Sequence, residues 1–115
     1  MPTPADHPVI DLATFAELQA TAGAEFVTEL ADTFLEEAPL MLAELRDAQA
    51  QGSAERFRRA AHSLKSNSHT FGATTLGAMA RELELGGLVA DARPIDALAA
   101  ELTRVAAALM DLRHA

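Results

Sequence analysis

Apolar residues recur along most of this chain three and four positions apart, the period of helices that each bury one face. The longest such stripe, Leu30, Ala31, Phe34, Ala38, Met41, Leu45 and Ala48, predicts a helix from about Ala24 to Gln51, with Gly52 suited to its C-terminal end. Pro39 lies inside it, removing a backbone donor and crowding the previous turn; a kink is expected there, with a full break as the alternative. Before it, Asp11 can cap a short helix through about Ala20, with Leu12, Phe15 and Leu18 inward and Gly23 as a break. After it, Ser53 caps a helix running to about Thr70, with Gly72 ending or bending it. Thr74 or Thr75 opens another, with Leu76, Met79, Ala80 and Leu83 inward, closing at Gly86 and Gly87. Pro94 suits the first residue of a last helix, which Ile95, Leu98, Leu102, Val105, Leu109 and Leu112 carry to the C-terminus. No stretch alternates as a strand does. The predicted fold is all-α: an antiparallel four-helix bundle with a short additional N-terminal helix packed across one end. Residues 1–9, with three prolines, form a flexible arm, and residues 10–115 form the bundle domain.

Composition supports one domain: 115 residues suffice for a single core, and 50% hydrophobic with only 4% aromatic content favours helices over a β-sandwich. A formal net charge of −8 argues against nucleic acid and anionic membrane surfaces as partners. No apolar run is long enough to span a bilayer, and the N-terminus lacks the cationic start and apolar core of a signal peptide. A cytoplasmic location and a monomer are the default expectations. The absence of cysteine removes disulfides and thiolate metal sites.

Charge is unevenly spread. Arg56, Arg58, Arg59 and Lys65, four of the nine basic residues, fall within ten positions, and Lys65 is the only lysine. On a helix of about 100° per residue, Phe57, Ala60, Leu64, Asn67 and Phe71 gather on one apolar face, with Asn67 as a hydrogen-bonded core polar group. The opposite face centres on His62, with Arg58, Arg59, Lys65, Ser66 and His69 around it. An exposed imidazole keeps a nucleophilic nitrogen at neutral pH. Attack on a phosphoryl group also needs open space, positive charge and a rigid mount. Lys65 sits one turn on and can reach phosphoryl oxygens; Ser66 is small and can donate a hydrogen bond; Gly72 removes bulk further along; Arg58 and Arg59 attract an anionic partner.

The string Ala61-His62-Ser63-Leu64-Lys65-Ser66-Asn67-Ser68, followed by Phe71-Gly72-Ala73, resembles the signature of histidine-containing phosphotransfer (HPt) domains. Thr33-Phe34-Leu35-Glu36-Glu37-Ala38-Pro39 is similar to that family's proline-bearing helix, and Glu82-Leu83-Glu84 to the helix after the active one, so the likeness covers roughly residues 10–112. Ser66 stands where the family often has Gly, and His69 is a less typical occupant of its position. The resemblance implies a phosphocarrier without a nucleotide site, not an enzyme in its own right. His62 is then the phosphorylated residue, on Nε2, steadied by Lys65, with Ser66 and Gly72 keeping the approach open. The partners implied are receiver domains of response regulators or hybrid sensor histidine kinases. The chain itself holds no cofactor; the Mg²⁺ for transfer belongs to the receiver. Exposed apolar groups on the long second helix are candidates for the docking patch, and Met1 with ragged ends favours a free-standing protein.

Other readings carry less. His62 and His69, seven apart, lie about 10 Å apart along the axis and cannot chelate one ion. No Glu-x-x-His pair suggests a di-iron bundle, and no glycine-rich loop suggests a kinase. His7 and His114 fall in tails. The alternative function is a helical adaptor that binds a signalling partner without being phosphorylated.

Overall fold

A computed structural model of the chain describes residues 9–112 and contains five helices: α1 (Leu12–Ala22), α2 (Ala24–Gln51), α3 (Ala54–Phe71), α4 (Thr74–Gly86) and α5 (Arg93–Leu112). Several boundaries have a local cause. The Asp11 carboxylate accepts from the Ala13 and Thr14 amides to start α1, and Ser53 Oγ accepts from the Arg56 amide to start α3. Gly52 and Gly72 close α2 and α3 in the left-handed region, at φ 68° and 82°. Arg93, not Pro94, opens α5, which places the proline in the first turn where its missing donor is still harmless. Helix α2 runs unbroken through Pro39, so the full break does not occur.

Helices α2, α3, α4 and α5 pack in a closed ring, each on its two neighbours, with α3 most extensively covered. Two-residue connections, Gly52-Ser53 and Gly72-Ala73, force α2, α3 and α4 into antiparallel succession. The short α1 lies against α2 and α3, and it is tied to the C-terminal end of α3 by the Asp11 amide, which donates to the Gly72 carbonyl at 2.8 Å. This is the expected four-helix bundle with an added N-terminal helix. The loop before α5 is pinned to α2 by Gln49, whose side-chain amide donates to the Val89 carbonyl and accepts from its N–H, at 2.6 and 3.0 Å.

The core is aliphatic, with Phe34 and Phe71 in ring contact at 5.6 Å. Most of the predicted inward residues are buried, among them Phe15, Ala31, Phe34, Ala38, Leu45, Ala48, Phe57, Leu64, Leu76, Leu83, Ile95, Leu98, Val105 and Leu109. Leu12 is not: it is 59% exposed at the start of α1. On α3 the buried polar position is Ser68, not Asn67, because the helix is turned so that Ala61 and Ser68 face inward with Phe57, Leu64 and Phe71. Ser68 satisfies its hydroxyl within the helix by donating to the Leu64 carbonyl at 2.6 Å. Of the expected N-terminal arm, Val9 packs against the core, while residues 1–8, with His7, lie outside the described residues, as do 113–115 with His114. Among the described residues no helix is long and apolar enough to cross a membrane.

Candidate functional site

The two-residue turn between α3 and α4 fixes which residues meet across that pair. Positions equally distant from Ala73 face each other: His62 precedes it by eleven residues and Glu84 follows it by eleven. His69 and Gly77 stand four away on either side, and their contact shows the same register. Helix α4 turns Leu76, Ala80 and Leu83 into the core, leaving Glu84 at the seam beside α3. There its side chain is only 14% exposed, and its two oxygens take different partners. Oε2 lies 2.7 Å from His62 Nδ1, and Oε1 lies 2.9 Å from Lys65 Nζ.

The His62 side chain remains 54% exposed, so its ring is open to solvent. A carboxylate can only accept, so Nδ1 carries the hydrogen and donates it, and a neutral imidazole then has its free lone pair on Nε2. The Lys65 ammonium lowers the Glu84 pKa below the ordinary carboxylate value, His62 adds to this, and partial burial opposes it. Glu84 is therefore an anion at neutral pH. The arrangement is an exposed imidazole oriented by a largely buried carboxylate, itself held by a cation: His62, Glu84 and Lys65 in series.

The other expected site residues are placed as follows. Lys65 is on the His62 side of α3, but its ammonium rests on Glu84 instead of standing free, because α4 brings that carboxylate between them. Ser66 is exposed beside His62 and leaves the approach low. Arg58 and Arg59 are exposed one turn earlier. Arg56 belongs to a different cluster, gripped by Glu44 at 2.8 Å and Asp47 at 2.6 Å on α2; its hydrogen bond depresses the Glu44 pKa, and Arg59 adds a weaker pull. The cationic island is thus smaller in effect than the composition suggests, since Arg56 and Lys65 are both neutralised by neighbours.

Gly72 has a different place from the one expected. It is buried, and a Cβ there would meet the Asp11 carbonyl at 2.9 Å and Thr14 Cβ at 3.0 Å. Its small size seats α1 rather than opening the route to His62. His69 is exposed on the His62 face, and its ring lies against Gly77. The residue missed by sequence reasoning is Glu84. Its signal was present in the Glu82-Leu83-Glu84 string and in the antiparallel register, but the register could be read only once the Gly72-Ala73 turn was known to have two residues. Among the described residues no group of three or more His, Asp or Glu side chains is placed to hold a metal ion.

No curated protein and no solved structure matches the chain. In a comparison with protein families, residues 29–108 match the family described as Hpt domain. That span runs from early α2 nearly to the end of α5 and contains His62, Lys65 and Glu84. With that match over most of its length, and with a helical bundle presenting a histidine on its second long helix, the chain belongs to the Hpt domain family, whose members serve phosphotransfer in two-component phosphorelays.

Proposed function

We propose that His62 accepts a phosphoryl group from the aspartyl phosphate of one receiver domain and passes it to another. The observation that carries this reading is the half-exposed imidazole whose Nδ1 is engaged by Glu84, which leaves Nε2 as the nucleophile. In the forward step the Nε2 lone pair attacks phosphorus, the N–P bond forms, and the P–O bond to the aspartyl carboxylate breaks, the carboxylate leaving with the electron pair. The Nδ1 proton stays on the ring, so the ring becomes cationic, and the Glu84 carboxylate lies beside that charge. Return to a second receiver is the same step reversed. Phosphoryl transfer of this kind needs mainly placement and charge neutralisation, so a rigid bundle with one oriented imidazole suffices. Lys65 keeps Glu84 ionised and in place; an ammonium has three donors, so it can also meet a phosphoryl oxygen.

The partner surface surrounds His62. Leu85, next to Glu84 on α4, is 69% exposed, and Leu40 on α2 is 68% exposed. Both are available to a receiver domain, while Ser66 leaves the centre of the patch low. The chain acts as a carrier: the nucleotide chemistry and the magnesium belong to its partners. Incubation with a phosphorylated receiver domain from the same genome is expected to place an acid-labile phosphate on the chain. His62→Gln is expected to abolish the label while the helical circular dichroism is unchanged. Receiver binding with no phosphate on the chain at all would instead make it an adaptor.

A further inference from the structure

Gly77 is an unusual choice in the middle of a helix, where glycine costs about 1 kcal/mol relative to alanine. Its φ is not in the left-handed region, so backbone conformation does not require it. What requires it is His69. A Cβ at position 77 would lie 2.8 Å from His69 Cε1, 2.9 Å from Nε2 and 3.1 Å from Nδ1. The imidazole therefore rests directly on the α4 backbone, a seat no other residue type would leave open. Held this way, His69 is not a loose surface side chain. It is exposed, and among the described residues its ring has no hydrogen-bond partner. It also lies on the same face of α3 as His62, seven residues on, hence about 10 Å along the axis.

A docked protein of ordinary size covers about 800 Å² of its partner, a patch roughly 15 Å in radius. A receiver centred on His62 Nε2 would reach His69. We infer that the His69 imidazole, braced on Gly77, is a receiver-contacting residue that sets the fit of the partner domain without taking part in phosphoryl transfer. This rests on the phosphocarrier reading of His62 given above. The bracing matters because a side chain already fixed in its bound position loses little rotamer freedom when the partner arrives. Its ring nitrogens are exposed and free to hydrogen-bond, so the complementary partner surface is polar.

The test uses the full chain and whichever receiver of the same genome labels His62 fastest, charged with acetyl phosphate. His69→Ala is expected to raise the apparent KM for that receiver about three- to tenfold, the range of one interfacial hydrogen bond, with kcat changed less than about twofold. Gly77→Ala, at a position itself buried, is expected to move KM in the same direction because its methyl displaces the ring. The double variant is expected to be no worse than His69→Ala alone, since both act through one contact. An unchanged KM in His69→Ala, with His62 labelled normally, overturns this inference and leaves the phosphocarrier reading intact. Absence of His62 labelling in the unsubstituted protein overturns both. If Gly77→Ala fails to fold, His69→Ala decides the matter alone.

Discussion

At the scale of single residues, the site is a short chain of charge from Lys65 through Glu84 to His62, and each member has a separable effect. Glu84→Gln keeps the size of the side chain but removes the anion that would face the ring in the proposed transfer. Phosphotransfer to His62 is expected to slow by at least about tenfold, with the helical spectrum unchanged. Lys65→Ala is expected to slow it as well, by about fivefold or more, because Glu84 loses its tether and the phosphoryl group loses a nearby donor. Rapid-quench transfer from a labelled receiver measures both. A Glu84→Gln rate equal to that of the parent would remove the carboxylate from the mechanism. That His62 and Lys65 share a face was legible in the sequence because both belong to one helix, where spacing alone fixes the face. The place of Glu84 beside them was not, because it depends on a second helix and on the register between them.

At the scale of helices, the termini carry much of the specification. Gly52 and Gly72 both end helices in the left-handed region, yet their surroundings differ. A Cβ at Gly52 meets nothing within 4 Å, whereas at Gly72 it meets the Asp11 carbonyl at 2.9 Å. Gly52→Ala should therefore cost only the conformational penalty, about 1 kcal/mol, and Gly72→Ala should cost about 1–3 kcal/mol more as α1 is pushed from its seat. Urea unfolding of the two variants measures the gap, and equal losses would contradict the docking of α1 on Gly72. Helix bounds were readable from caps and glycines: α2 runs from Ala24 to Gln51 and α4 from Thr74 to Gly86, as the pattern required. Rotation was less so. A stripe containing Asn67 and one containing Ser68 differ by a single position, and in the bundle it is Ser68 that is buried, together with Ala61, Leu64 and Phe71.

At the scale of the molecule, an acidic bundle holds several carboxylates below their ordinary values through cationic partners. Lys65 and then His62 act on Glu84, Arg56 on Glu44, and Arg93 on Asp91. The unfolded chain therefore takes up protons at these sites before the folded one does as pH falls. Their stabilisation is complete above the ordinary glutamate value of 4.5 and is lost as pH drops through the lower folded values. Tm is expected to be nearly flat from neutrality to about pH 5 and to fall below that. The Tm difference between the parent and Glu84→Gln should shrink over the same acid window, where the parent's carboxylate becomes neutral too. A difference that persists undiminished at pH 3 would mean that Glu84 stabilises by packing, not charge.

The central claim is that Glu84 holds His62 Nδ1 and so leaves Nε2 to carry the phosphate. Long-range ¹H–¹⁵N NMR of the phosphorylated, ring-labelled protein reads this directly, because the two nitrogens of a phosphohistidine have distinct shifts. The expected result is phosphorus on Nε2 of His62 with Nδ1 still protonated. Phosphorus on Nδ1, or on any residue other than His62, would contradict it.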